Sequence, residues 1–244
     1  MKNIIIVIVI TIMHLKVGAQ ASLFQGFSMD FSTGWYQSKS WNHWKAYYNS
    51  VNAGELKKDM SGFRPAVGFE LGYNFCIAVR GIAWYSPIRY NYGRATATAK
   101  FKDGTARIMQ LEKRTFYMPI GLGAFNVSGN GFGGVFFSIP VGMSVYRLNS
   151  AYEYRDGTVS YGGDKGLNGI YRGYDGKIGA DISLMGGMGK LGVIMHATYM
   201  LSFLPPDVDA KVLSGASGSL NTNGGAVTGK FREFSTGIGI IVAL

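Results

Sequence analysis

Cysteine is nearly missing: the 244-residue chain holds one, Cys76. One thiol cannot close an internal disulfide, so a disulfide-stapled scaffold is excluded, and stability must come from packing or from a surrounding apolar medium. Charge is also sparse, at 16% Asp, Glu, Lys and Arg, and the acids are outnumbered 14 to 24. Past the first residues no segment has the continuous apolar length, roughly 18–20 residues, of a membrane-crossing helix. Helical periodicity is scarce, and no Pro-rich or Gly/Ser-rich linker divides the chain. These absences leave one all-β domain, either soluble or crossing a membrane by strands.

What is present begins with a leader. Lys2 precedes an apolar run from Ile4 to Met13, and small residues follow at Val17, Gly18, Ala19 and Ala21. This is the layout of a secretory signal peptide, too short to be a spanning helix. Residues 1–19 are expected to be removed, with cleavage after Ala21 as the alternative, which leaves 20–244 as a single domain. The net charge of +10 raises nucleic acid as a partner, but no nucleic-acid motif accompanies it. The expectation is a basic surface and no nucleic acid.

Abundant Gly, Tyr and Phe are laid out with a period of two. Phe27, Met29, Phe31 and Trp35 alternate with Ser28, Asp30, Ser32 and Gly34. Phe63 to Tyr73 and Phe75 to Tyr85 read as two more strands joined around Asn74, with odd-numbered residues on the apolar face. Phe116 to Ala124 and Val135 to Val145 follow, then Ile178 to Leu184, Leu191 to Phe203 and Phe234 to Leu244. Apolar faces without charge, opposed by Gly, Ser and a few charges, have the polarity of a transmembrane barrel and the reverse of a lipocalin-like one. Connections alternate short and long, the long ones at 37–61, 90–112, 148–175 and 204–230. The expected fold is an eight-stranded antiparallel transmembrane β-barrel with short periplasmic turns and long extracellular loops. ATATAKFKDGTARIMQLE also alternates about Asp103–Gly104, so one hairpin is expected to continue above the membrane.

With its leader, strands such as GVFFSIPVGMSVY, Gly-rich turns and a terminal FSTGIGIIVAL, the chain resembles the OmpA/OmpX-like small outer-membrane barrels of Gram-negative envelopes. The resemblance implies location in the outer membrane and work in envelope structure, surface binding or a membrane complex. It departs from the family where members often end in an aromatic residue; here the end is Leu244.

The inward charges predict a lumenal polar network of Asp30, Arg64, Glu70, Arg80, Asp181 and His196. A turn at Met188–Gly189 would set Asp181 opposite His196, and a turn near Asn74 would bring Glu70 to Arg80. Asp181 and His196 could form a general-base dyad with Ser183 or Ser202 as nucleophile, in an acyltransferase- or protease-type barrel. An eight-stranded lumen is only wide enough for its own side chains, so a structural network is the expected reading, with no enzyme activity. A narrow small-solute channel past Arg80 and Glu70 is the third reading. His43, His196 and Cys76 form no ligand set, so neither metal nor cofactor is expected. In the first long loop, Trp41, Trp44, Tyr47 and Tyr48 lie among Lys45, Lys57 and Lys58. They are either an aromatic girdle or a binding surface for lipopolysaccharide phosphates, a glycan or a protein. Outer-membrane lipid is the expected surrounding.

Overall fold

The computed structural model describes residues 21–161, 171–203 and 232–244. The expected leader lies outside the described residues, as do 162–170 and 204–231 of two expected long loops. The described elements are β1 (Ala21–Gln37), α1 (Lys39–Val51), β2 (Leu56–Lys58), β3 (Ala66–Val79), β4 (Ile82–Tyr85), β5 (Ile88–Phe101), β6 (Ala106–Ser128), β7 (Gly131–Glu153), β8 (Val159–Tyr161), β9 (Tyr171–Met188), β10 (Leu191–Ser202) and β11 (Arg232–Ala243). No described helix is long and apolar enough to cross a membrane.

One antiparallel sheet closes on itself. β4 and β5 pair with the same two neighbours, β3 and β6, and the register runs unbroken from Val79↔Ile82 to Val67↔Arg94. They are one stave interrupted at Ser86–Pro87, where proline has no N–H to offer the ladder. The ring then runs β1, β3, β4/β5, β6, β7, β9, β10 and β11, and β11 returns to β1 through pairs such as Phe31↔Ile238. This is the expected eight-stranded barrel. The short β2 and β8 extend its rim, pairing with β5 and β7.

Outward residues follow the expected alternation along most staves. Leu23, Phe27, Met29 and Phe31 are exposed, and so are Phe116, Phe137, Ile139, Ile238 and Ile240, while Ser28, Asp30, Ser32, Thr115 and Ser138 are buried. So much exposed apolar surface in an unbroken girdle is unsuited to water and matches hydrocarbon. Trp35, Phe234 and Tyr199 lie in one row at its upper edge, with the Trp35 and Phe234 rings 5.6 Å apart.

The expected turn near Asn74 is not there. β3 passes straight through Asn74, which is buried, and the chain reverses at Arg80–Gly81, both with positive φ (53° and 81°). That backbone suits the two-residue hairpin turn whose twist matches the strands. Moving the turn inverts the parity beyond it: Ile82 and Trp84 face outward, whereas Ala83 and Tyr85, expected outside, are buried. The β9–β10 turn lies one residue further on than expected, at Gly189–Lys190, between the pair Met188↔Leu191.

At the opposite rim the sheet climbs well past the apolar girdle, because β6 and β7 run 23 residues each. The hairpin expected about Asp103–Gly104 is present. The tripeptide Asp-Gly-Thr makes both this tip and the tip at Asp156–Gly157–Thr158: each glycine has positive φ, and the threonine N–H donates to the aspartate carboxylate at 2.8 and 2.9 Å. Those bonds hold both exposed carboxyls below the usual range. The tips touch, since Arg155 donates to the Asp103 carbonyl.

The girdle makes a quantitative claim. Met29 faces outward between Ile240 and Leu71. Met29→Arg is expected to destabilise the barrel in lipid vesicles by about 2–4 kcal/mol, and Gln25→Arg, near the short-turn rim, by about 1 kcal/mol or less. Urea titration of refolding into vesicles separates the two.

Candidate functional site

The interior is layered. Nearest the short turns is an apolar plug of Phe24, Cys76, Tyr85, Phe125, Phe132, Phe136, Met185, Ile194 and Ile241. Phe24 sits 5.3 and 4.8 Å from the Phe125 and Phe132 rings, and Tyr85 stacks on Phe136 at 4.2 Å. This end of the lumen is more apolar than the alternation suggested, partly because the inverted parity delivers Ala83 and Tyr85 to it.

Above the plug lies the polar layer. The Arg89 guanidinium is its hub: it lies 3.4 Å from Glu70 and 3.6 Å from Asp181, and it donates to the Tyr85 hydroxyl and to Ser183, each at 2.9 Å. Glu70 Oε2 accepts from the Tyr117 hydroxyl at 2.6 Å and from Asn91 at 3.3 Å. Asp181 accepts from Thr198 (2.5 Å), Ser183 (2.7 Å) and Ser138 (3.1 Å). His196 presents Nδ1 to Asp30 at 3.7 Å and Nε2 to Glu70 at 3.5 Å. Three carboxylates converge on one guanidinium and one imidazole, all buried. Charges survive such desolvation only when partnered.

Four of the six expected network residues, Asp30, Glu70, Asp181 and His196, meet in this layer. Arg64 and Arg80 do not. Arg64 is exposed in the coil before β3, and Arg80 is exposed at the hairpin corner. The cation that faces Glu70 is Arg89, which sequence reasoning placed next to a long loop; the alternation Arg89, Asn91, Gly93 against Ile88, Tyr90, Tyr92 was the available signal. The expected Asp181–His196 pair is also corrected. With the turn at Gly189–Lys190, Asp181 faces Thr198 and His196 faces Ser183.

A second ionic layer lies higher. Lys113 pairs with Glu233, and Lys177 pairs with Asp175 at 2.8 Å and donates to Ser202 at 2.9 Å. Both ammonium groups also lie 5.3 Å from tyrosine rings, Tyr36 and Tyr146. Ser202, a candidate nucleophile in the catalytic reading, donates to Asp175.

The lumen is then lidded by α1. Ser38 caps its N-terminus by accepting from the Trp41 N–H, and Trp41, Trp44 and Tyr48 pack down on Leu56, Met60, Met109, Leu111 and Leu148. Ala95, Ala97 and Ala99, the inward half of ATATA, leave room for the indoles. Arg107 lies over Trp44, Tyr48 and Tyr152 at 5.1–5.9 Å. Burial pushes the Tyr48 phenol up, against the pull of Arg107. Trp41, Trp44 and Tyr48, expected in a girdle or on a binding surface, are therefore lid core. The expected binding loop keeps Lys57 and Lys58 exposed, with Lys45 and Tyr47 half-buried.

Removing the hub tests the network. Arg89→Met strands Glu70 and Asp181 without a guanidinium and is expected to cost about 3–5 kcal/mol, read from urea unfolding in detergent. Glu70→Gln in the same chain is expected to recover part of that loss; strict additivity of the two single losses would show that the groups are not coupled.

No protein-family model matches the chain, and no curated protein matches it. Among solved structures it is similar to Ail, the attachment invasion locus protein of Yersinia pestis, determined in complex with the heparin analogue sucrose octasulfate. Identity is 8% over 91% of this chain and 99% of that one, with a TM-score of 0.36.

Proposed function

We propose that the protein is a non-catalytic outer-membrane barrel, exported by its N-terminal leader and inserted with its short turns on the periplasmic side. It acts through its long-loop rim, which holds anionic lipid phosphates such as those of lipopolysaccharide, in an envelope-structural or surface-binding role. The observation that carries this reading is the position of the accessible cations. Arg94 and Arg114 point outward directly above the apolar girdle and are exposed, and Arg147 stands half-buried beside them. Arg94 pairs in register with both Val67 and Glu112, Glu112 with Arg147, and Arg114 with Tyr92 and Val145. Among the described side chains, three guanidinium groups and one carboxylate thus occupy the level at which lipid headgroups meet hydrocarbon. Guanidinium forks suit phosphate oxygens. Lys57, Lys58, Lys100 and Lys102 extend the positive surface outward, where a sulfated or phosphorylated glycan would be met.

The layered interior weighs against the two rival readings. A channel needs an aqueous path, and the plug, the two ionic layers and the lid stand across it. A lumenal enzyme needs substrate access to a base beside its nucleophile, but Ser183 donates to Asp181, and both belong to the buried network around Arg89.

Two measurements test the proposal. In planar bilayers the purified barrel is expected to show no steady conductance, and open-channel steps would defeat the filled-lumen view. The triple variant Arg94→Gln, Arg114→Gln, Arg147→Gln is expected to bind lipopolysaccharide micelles at least about tenfold more weakly, since each charge-assisted contact is worth about 1.5–3 kcal/mol. Unchanged affinity with an intact fold removes the rim from the proposal.

A further inference from the structure

Within the polar layer one cluster of atoms meets its neighbours at ion-pair distances of 3.4–3.7 Å but without hydrogen bonds. Both carboxylate oxygens of Asp30, Oε1 of Glu70 and both ring nitrogens of His196 are buried and make no hydrogen bond among the described residues. One ligand atom from each residue lies within 4.8 Å of the others. The side chains come from β1, β3 and β10, and β11 lies between β1 and β10. At this level β11 contributes only Gly237 and Gly239. A Cβ at Gly237 would collide with the His196 imidazole, and one at Gly239 with the Asp30 carboxylate. β11 is therefore bare where Asp30 and His196 lean over it toward each other.

We propose that Asp30, Glu70 and His196 bind one divalent transition-metal cation of the zinc class inside the barrel. Two carboxylate oxygens and one imidazole are a ligand set for such an ion. Its bonds of about 2.0–2.2 Å place neighbouring ligands roughly 3.3–3.5 Å apart, and Glu70 Oε1 stands 3.5 Å from His196 Nε2. One ring nitrogen, Nε2 on the Glu70 side, takes the cation together with one oxygen from each carboxylate. Tyr117 and Asn91 hold Oε2 of Glu70, which leaves Oε1, 3.4 Å from the Arg89 guanidinium, turned toward the cluster.

The three carboxyl groups of Asp30, Glu70 and Asp181 outnumber the one guanidinium among them, Arg89, so the layer has acidic ligands to spare for a divalent cation.

The position gives the ion a role in assembly. Asp30 lies on the first stave and His196 on the penultimate one, either side of the β1–β11 seam that closes the ring. The cation ties the two ends of the sheet together and is enclosed as the seam forms, so it is taken up during folding and afterwards exchanges slowly.

The test is refolding of the full-length mature chain into detergent with zinc or cobalt, followed by removal of free metal and elemental analysis. About one zinc per chain is expected, with a higher unfolding temperature than protein refolded in chelator. Asp30→Asn and His196→Gln are each expected to cut the retained zinc to under about a tenth, while His43→Gln, on the lid helix, leaves it unchanged. Cobalt-refolded wild type is expected to show the intense ligand-field absorption of a four- or five-coordinate ion, a readout that does not depend on any variant folding. Wild type that holds no metal after refolding in either ion, retention undiminished in folded Asp30→Asn and His196→Gln, or a cobalt spectrum of the hexa-aquo type overturns the site.

Discussion

Closure of the sheet is the constraint on which the rest depends. In hydrocarbon no water takes up the N–H and C=O groups of an open edge, so β1 and β11 must find each other although they lie at opposite ends of the described chain. They pair over twelve residues, from Gly26↔Ala243 to Gln37↔Arg232. Once eight staves are ringed, each side chain has one of two destinations, and the narrow interior must be filled from the strands themselves.

The filling is ordered along the axis by chemistry. Aromatics seal the short-turn end, a guanidinium and three carboxylates occupy the middle, two lysine–carboxylate pairs follow, and a tryptophan-bearing helix closes the top. Arg89, Lys113 and Lys177 each have a carboxylate at ion-pair distance, as desolvation demands. Glycine is used where the lumen is most crowded: Gly237 and Gly239 let His196 and Asp30 cross a strand that carries no side chain at that level. A fold described only as an alternation of apolar and polar residues would miss this, because there the missing side chain is what makes the site.

Sequence reasoning reached the architecture through repetition, since each outward set of four to seven residues states the same preference independently. It was weakest at turns. Placing one turn at Asn74 instead of Arg80–Gly81 sent Tyr85 to the wrong face and named Arg80 as the partner of Glu70, when the partner is Arg89. Placing another at Met188–Gly189 instead of Gly189–Lys190 moved Asp181 from Thr198 to His196. A slip in turn position is amplified because side-chain direction has a period of two. The first long loop failed for a different reason: its aromatics looked like a surface because the alanine row 95–99 that receives them is distant in sequence.

The sequence alone determined the all-β class, the eight-stave count, the apolar outer girdle and four of the buried charged or imidazole residues, because these follow from local periodicity and from the cost of putting charge in lipid. The tertiary structure alone decided which charge meets which. It joined Asp30, Glu70 and His196 across the seam, put Arg89 among the acids and folded Trp41 and Trp44 into a lid. Those contacts depend on register around a closed ring, and register is summed over every turn, so no single segment contains it.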